Sequence, residues 1–184
     1  MNNSKSIILK MVQKLESKRL LFKPFEMSDA ESLFKMDKNP NVHKYLWQQP
    51  VQNIQEVENT IKKVLEQYNR NKTGRYITIL KETGEFIGWT GIKFVDDHIE
   101  NGNTNFYDYG YRLDEPFWGK GYASEATKFW LQHSFNNMKI KELHAYTHFE
   151  NAASNHILKK SEFKFIETYL TKDNTSWNWW KIIK

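Results

Sequence analysis

The stretch YGYRLDEPFWGKGYASEA, residues 109 to 126, joins a strand-like segment to a helix-like segment through a short loop that contains two glycines. Gly119 and Gly121 lack a Cβ, so the backbone can turn sharply there and approach a ligand closely. Such a loop can aim the N–H groups of Lys120 to Ser124 at one point, and the positive end of the following helix adds to their field. The stretch is therefore a candidate cradle for an anion such as a pyrophosphate, and the Lys120 side chain can neutralise part of its charge.

Other known uses of a glycine loop fit this stretch less well. A dinucleotide-binding G-x-G-x-x-G motif needs a third glycine where this chain has Ser124, and it opens the first β-α-β unit instead of following several strands. A P-loop needs Gly-Lys followed by Ser or Thr, whereas Lys120 is followed by Gly121. A tight connection with an ordinary glycine turn stays open as the alternative to an anion site.

The length and composition of the chain are those of one globular domain. Its 184 residues are 39% hydrophobic and 15% aromatic, which is enough for one core, and we find no repeat or low-complexity linker. We assign residues 17 to 184 to a single domain and residues 1 to 16 to an N-terminal extension that can be helical. No run approaches the roughly 20 apolar residues of a membrane span, and the N-terminus lacks the features of a signal peptide. The sequence therefore predicts a cytoplasmic protein without a membrane partner.

The charge distribution and the missing cysteines narrow the possible functions. The formal net charge is +5, but lysines and arginines are interspersed with acidic residues and form no basic block, which argues against a nucleic-acid partner. The absence of cysteine excludes disulfides, thiolate metal sites and a cysteine nucleophile. No metal site is predicted, and any acyl transfer has to be direct or use another nucleophile.

Hydrophobic periodicity predicts a continuous series of strands and helices. Capping boxes predict helix starts at Ser28 with Glu31 and at Asn53 with Glu56. Residues 75 to 80 and 85 to 93 are rich in β-branched and aromatic side chains and predict an antiparallel hairpin. The full set of predicted strands covers residues 19–25, 75–80, 85–93, 104–113, 142–149, 163–169 and 177–182, and the other two predicted helices follow Gly121 and span 152–160, which together make a mixed α/β fold.

Three motifs in order resemble those of a known superfamily. Residues 110–113 and 118–126 are similar to the acetyl-CoA loop of the GNAT superfamily of N-acetyltransferases, in particular of its RimJ/RimL-like branch. The resemblance covers roughly residues 17 to 170 and departs from the branch at Glu162, where relatives usually carry a helix-ending glycine. The flanking motifs are Ser17 to Leu20 and Asp29 to Glu31 upstream, and Asn151 to Ser154 and Lys160 to Phe163 downstream.

The resemblance implies a fold and an activity. The implied fold is α/β (α+β), a GNAT-type mixed and mostly antiparallel sheet of about seven strands with about four flanking helices, splayed at the acetyl-CoA site. The implied activity is direct transfer of an acetyl group from acetyl-CoA to a primary amine of a protein N-terminus or a small molecule. A homodimer is a candidate assembly, because relatives are often dimers. The alternative function is a non-catalytic acyl-CoA-binding or regulatory module, because Leu158 stands where many relatives use a tyrosine.

The resemblance also implies which residues bind the donor. The backbone N–H near Leu113 is expected to polarise the thioester carbonyl, and the chain from there to Ser124 is expected to hold the pantetheine and the pyrophosphate. Ser154 is the candidate general acid or thiol contact. For Asn151 the alternative is an N-cap of the helix, with Ser154 at its third position. The predicted donor-binding residues are Leu113, Trp118, Gly119, Lys120, Gly121, Tyr122, Ala123, Ser124, Asn151 and Ser154.

The proton acceptor and the acceptor side have candidates as well. Asp108 lies on the strand that enters the motif, where the branch often has a glutamate, and can take a proton directly or through water. Its alternative is a solvated or paired carboxylate. His144, His148 and Trp47 are candidates to line the acceptor cleft, with a structural role as the alternative for the histidines. Glu125 resembles a family position, but it can also simply complement the helix dipole.

Overall fold

A computed structural model describes residues 15 to 46 and 49 to 184 of the chain. Within these ranges, eight strands form one sheet that is flanked by five α-helices. The N-terminal extension up to residue 14 and the acceptor-side candidate Trp47 lie outside the described residues. The strands are β1 (Leu15–Glu16), β2 (Leu20–Pro24), β3 (Gly74–Leu80), β4 (Phe86–Val95), β5 (Phe106–Leu113), β6 (Glu142–His148), β7 (Lys164–Leu170) and β8 (Ser176–Ile183), and the helices are α1 (Ala30–Asp37), α2 (Pro40–His43), α3 (Ile54–Asn71), α4 (Tyr122–Asn136) and α5 (Ala152–Lys160).

The strands are ordered β1-β2-β3-β4-β5-β6-β8-β7, and β5 and β6 form the parallel pair in an otherwise antiparallel sheet. β4 and β5 stay in register over eight residue pairs, and β6 and β8 over seven. By contrast, β5 and β6 share one registered pair, Asp108 with His144. We call the opening between residues 109–113 of β5 and 145–148 of β6 the splay.

The predicted fold class is confirmed, with one strand and one helix more than expected. The sheet has eight strands because Leu15 and Glu16 pair with β2. The additional helix is the short α2, which Asn39 caps with its side chain. The predicted cap of α3 is also confirmed, since the Glu56 N–H donates to Asn53 Oδ1 at 3.2 Å.

The capping box that the sequence predicts for Ser28 and Glu31 is wrong. A 3₁₀ turn precedes α1, and the Glu26 N–H donates to Asp29 Oδ2 at 2.8 Å. Lys23 also donates to this carboxylate, at 2.6 Å. The capping box therefore forms two residues earlier than predicted, between Glu26 and Asp29. The reason is that Lys23 of β2 stabilises the charged Asp29 side chain as the acceptor.

Two layers of helices cover the opposite faces of the sheet. On one face, Trp130 of α4 donates to Thr90 of β4 at 2.8 Å, and Leu158 of α5 is buried. On the other face, which α1 and α3 cover, Arg112 of β5 donates to Asp37 of α1 at 2.8 Å. Among the described residues, no helix is both long and apolar enough to cross a bilayer.

Helix α5 ends in a left-handed turn at a residue that is not glycine. Glu162 has a φ of 67°. Its N–H donates to Lys159 O at 3.1 Å, and the Phe163 N–H donates to Leu158 O at 3.1 Å, as in a Schellman-type helix end. The turn is thus kept although Glu162 replaces the usual glycine. The left-handed conformation of Glu162 lowers the free energy of unfolding by roughly 1 kcal/mol.

We expect Glu162→Gly to raise the free energy of unfolding by up to about 1 kcal/mol, because glycine adopts this φ without Cβ strain. The measurement is the midpoint of urea unfolding at an unchanged slope. The control is Lys159→Gly inside α5, which should destabilise by about 0.5 to 1 kcal/mol. A midpoint for Glu162→Gly below that of the wild type would contradict the prediction.

Candidate functional site

The register of β4 and β5 decides where the backbone groups of β5 point. The Asp114 N–H donates to Ile87 O at 3.0 Å, so the facing pair of Gly88 and Leu113 is one without direct hydrogen bonds. Because the pattern alternates along antiparallel strands, the N–H and C=O groups of Tyr111 and Leu113 point away from β4 and into the splay. The N–H that the sequence analysis assigns to carbonyl polarisation therefore faces the opening between the strands.

The loop after β5 folds back onto the end of that strand. A 3₁₀ turn at Glu115–Phe117 reverses the chain, and Trp118 Nε1 then donates to the Leu113 carbonyl at 2.7 Å. Gly119 and Gly121 follow with φ values of 72° and 78°, which are left-handed conformations that favour glycine. The structure thus brings the predicted loop residues next to the splay.

The loop leads directly into the first turn of α4. The N–H groups of Tyr122 to Ser124 have no carbonyl partner within the helix, and the Glu125 N–H donates to Gly121 O at 3.1 Å. The Lys120 side chain is exposed, with its Nζ 5.6 Å from the centre of the Phe117 ring. Backbone donors and the positive helix end therefore lie together at the start of α4, and the use of this place as an anion cradle stays a prediction.

Ser154 lies in the first turn of α5 and makes two hydrogen bonds. Its N–H donates to Asn151 Oδ1 at 3.1 Å, so the N-cap that the sequence analysis gave as the alternative for Asn151 is present. Its hydroxyl oxygen accepts from Tyr111 Oη at 3.0 Å. Burial raises the pKa of Tyr111 to about 12, so this phenol stays a proton donor at neutral pH. Because Tyr111 supplies the proton of that hydrogen bond, the Ser154 hydroxyl keeps its own proton for another acceptor.

Asp108 lies at the closed end of the splay, on the sheet face covered by α1 and α3. Its carboxylate is 4% exposed, pairs with the Arg75 guanidinium and lies 3.9 Å from Lys93 Nζ. Arg75 sits so close to Gly110 that a Cβ there would lie 2.7 Å from its Nη2. Burial lowers the pKa of Lys93, and the charge of Asp108 opposes that shift. Asp108 is thus a paired carboxylate, and its partner on β3 was not identified from the sequence.

The two histidines of β6 have different surroundings. His144 is hydrogen-bonded to Glu142 at 2.7 Å, and burial lowers its pKa, as expected for a structural imidazole. His148, at the end of β6, lies 5.6 Å from the ring of Tyr45, which follows α2. The segment expected to build the acceptor side therefore approaches the splay. The described residues contain no cluster of three His, Asp or Glu side chains that could hold a metal ion.

Comparisons with known proteins identify the family and the fold of the chain. A family model described as acetyltransferase (GNAT) domain matches residues 19–164. An uncharacterized N-acetyltransferase p20 of Bacillus licheniformis is 29% identical over 153 residues, which are 83% of each chain. An acetyl transferase of Salmonella typhimurium, described as modifying the N-terminal serine of the ribosomal protein L7/L12, has a TM-score of 0.73 at 20% identity over 91% of this chain and 96% of that chain. RimL, a ribosomal L7/L12 alpha-N-protein acetyltransferase solved with coenzyme A, has a TM-score of 0.75 at 20% identity over 93% and 98%. At these identities, the two solved structures show a shared fold.

We expect the phenol of Tyr111 to titrate near pH 12. Because its pKa in the folded state lies above the unfolded value of about 10, it contributes stability that is fully present below pH 10 and is lost as the pH rises toward 12. The measurement is the ultraviolet absorbance of tyrosinate against pH for the wild type and Tyr111→Phe. The difference between the two curves should have its midpoint near pH 12 in the folded proteins and near pH 10 in urea. A midpoint near pH 10 in both would contradict the burial of this phenol.

Proposed function

The chain belongs to the GNAT acetyltransferase family and is an acyltransferase, and we propose that its donor is acetyl-CoA, held in the splay between β5 and β6. The observation that carries this proposal is that the backbone N–H groups of β5 and those of the glycine loop lie next to each other. The N–H groups of Tyr111 and Leu113 face the splay, and the Trp118 indole holds the glycine loop against the end of the same strand. In the proposal, the strand N–H groups bind the acyl and pantetheine part, and Gly119 to Ser124 bind the pyrophosphate.

The chemistry follows from the same contacts. When the acceptor amine attacks the thioester carbonyl, the Leu113 N–H stabilises the negative charge that develops on the carbonyl oxygen. The Ser154 hydroxyl donates its proton or a hydrogen bond to the departing sulfur, and Tyr111 fixes the orientation of that hydroxyl. The proposed transfer is direct: the chain has no cysteine that could carry the acetyl group, and Ser154 acts as a proton donor and not as a nucleophile.

Asp108 is the proposed final proton acceptor for the amine, through intervening water molecules. Its side chain lies on the face of α1 and α3, and its backbone lies about 17 Å along the extended strand from Leu113, so the proton cannot pass between them directly. Arg75 holds this carboxylate in place on the neighbouring β4 and β5 backbone by donating to the carbonyls of Gly91 and Asp108. Asp108 therefore has a fixed position relative to the strand that binds the acyl group.

The proposed acceptor is a primary amine, and the α-amine of a protein N-terminus suits the site better than an aliphatic amine. Only the neutral amine attacks, and at pH 7 about one α-amino group in ten is neutral, against about one lysine-type amine in a few thousand. The solved relatives named for the L7/L12 N-terminus act on such a group. Small amines remain the second acceptor class of the proposal.

The test is release of free thiol from acetyl-CoA in the presence of an amine panel. The panel contains short peptides with N-terminal Ser, Ala or Met, the same peptides with a blocked N-terminus, and small polyamines and amino sugars. Turnover with the free peptides and its loss with the blocked ones support the N-terminal acceptor. Coenzyme A binding by calorimetry without turnover across the panel would instead support the non-catalytic acyl-CoA-binding module.

We expect Ser154→Ala to lower kcat by about tenfold to a hundredfold, and Asp108→Asn by about a hundredfold or more, since each removes a group that moves or holds a proton in the transition state. The measurement is steady-state kinetics with the best acceptor of the panel. Matched controls are Ser161→Ala at the other end of α5 and Asp96→Asn in the exposed pair with Arg70, which should retain wild-type kcat. If both site variants keep full kcat, these two assignments are wrong although the donor site stands.

A further inference from the structure

The carboxylate of Glu125 is held by the opening hairpin of the sheet. Glu125 lies in the first turn of α4 and is 17% exposed. Its Oε1 accepts from Ser17 Oγ at 2.6 Å and from the Arg19 N–H at 2.7 Å, and its Oε2 accepts from Arg19 Nε at 2.6 Å. Burial alone would raise the pKa of Glu125, but these hydrogen bonds hold it below its usual range. A carboxylate that only complemented the helix dipole would need none of these three donors.

The guanidinium of Arg19 extends from Glu125 onto the glycine loop. Its Nη1 donates to the Lys120 carbonyl at 3.1 Å, and its Cζ lies 4.4 Å from the centre of the Tyr122 ring. Between these two residues, a Cβ on Gly121 would lie 3.5 Å from Nη2. Arg19 therefore contacts Lys120 and Tyr122 and lies beside Gly121 between them.

We propose that Arg19 and Glu125 form a positioning clamp that fixes the loop at Gly119 to Ser124 in its anion-binding conformation. The proposal rests on the function proposed above, because it assigns the loop to the pyrophosphate of acetyl-CoA. The two residues act through the loop backbone, so they are positioning residues and not catalytic ones.

The hydrogen bond to the Lys120 carbonyl sets the direction of a backbone donor. In a trans peptide the C=O and the following N–H point in opposite directions. Since the Lys120 carbonyl points to Arg19, the N–H of Gly121 points away from Arg19. The clamp thus aims this donor before the ligand arrives, and an ordered loop binds without the entropy cost of fixing its residues.

The clamp also neutralises the negative charge of Glu125 next to the proposed pyrophosphate site. A lone carboxylate in the first turn of a helix that binds a pyrophosphate would repel the ligand. Arg19 neutralises Glu125 through a charge-assisted hydrogen bond, so the positive field of the helix end is kept. Removal of Arg19 alone should therefore harm donor binding more than removal of both charges, since only the single change leaves the carboxylate without its cation.

The test is steady-state kinetics of Arg19→Gln, Arg19→Lys, Glu125→Gln and the double variant Arg19→Gln with Glu125→Gln. We expect Arg19→Gln to raise KM for acetyl-CoA by about tenfold to a hundredfold, with kcat and the KM for the amine changed less than about threefold. The double variant should recover part of that loss, and Arg19→Lys should fall between Arg19→Gln and the wild type. The control is Arg70→Gln, which removes the exposed Arg70 to Asp96 pair at 2.7 Å away from this hairpin and should leave all constants unchanged.

A truncated donor separates a clamp on the pyrophosphate from a general effect on the fold. S-acetylpantetheine carries the thioester but no pyrophosphate, so Arg19→Gln and the wild type should use it equally well. An equal loss with both donors, or an unchanged KM for acetyl-CoA in a folded Arg19→Gln protein, overturns the proposal. Calorimetry of coenzyme A binding with the same variants gives the expected tenfold or larger loss of affinity independently of turnover. A wild type that binds coenzyme A but transfers no acetyl group would overturn the proposed activity while leaving the clamp testable.

Discussion

The structure of the site depends on the single residue pair that joins β5 to β6. Each of these strands is held firmly by its other neighbour, β5 by eight pairs to β4 and β6 by seven pairs to β8, so the sheet does not need a longer ladder between them. Beyond the bridge at Asp108 and His144, Tyr111 and Leu113 have no strand partner on β6, although the Leu113 carbonyl accepts from the Trp118 indole. Polar backbone groups that are shielded from water without a partner cost free energy, and a ligand that supplies partners recovers it. This physical argument supports the proposal that the splay binds an extended ligand with amide groups.

Side-chain contacts connect this opening to both layers of helices. On the face of α4 and α5, Tyr111 reaches Ser154. On the opposite face, Arg112 of β5 pairs with Asp37 of α1 at 2.8 Å, and Glu115 in the loop accepts hydrogen bonds from Asn39 and Asn41 of the α2 region. The elements that flank the acceptor side are thus fixed to the same strand and loop that carry the donor site. The residues proposed to bind the donor and those proposed to bind the acceptor therefore have fixed positions relative to one another. Direct transfer between two substrates requires such fixed positions.

The sequence predicts the local parts of this arrangement and misses most of the distant ones. The glycine loop, the start of α4 and the Asn151 cap follow from residues within a few positions of one another, so propensity and capping rules are sufficient. The pairs of Arg75 with Asp108 and of Arg19 with Glu125 join residues 33 and 106 positions apart, and no periodic pattern reveals such a pair. The predicted capping box before α1 is wrong for a related reason. Lys23 on β2 binds the Asp29 carboxylate, and this contact, which the local motif does not contain, fixes Asp29 as the acceptor.

The division between backbone and side-chain roles explains why the donor site is easier to recognise than the proton path. The donors assigned to acetyl-CoA are N–H groups of β5, of the loop and of the first turn of α4, and their directions depend on register and on φ values rather than on side-chain identity. Many sequences can keep that geometry, provided that a few contacts such as the Trp118 hydrogen bond to Leu113 hold the loop against the strand. Proton carriers, by contrast, are single side chains whose position can be supplied from different elements. In this chain Leu158 has no hydroxyl, and the phenol that approaches Ser154 comes from Tyr111 on β5 instead. In the proposed mechanism, Ser154 is the proton donor for the departing sulfur, and Tyr111 on β5 orients its hydroxyl.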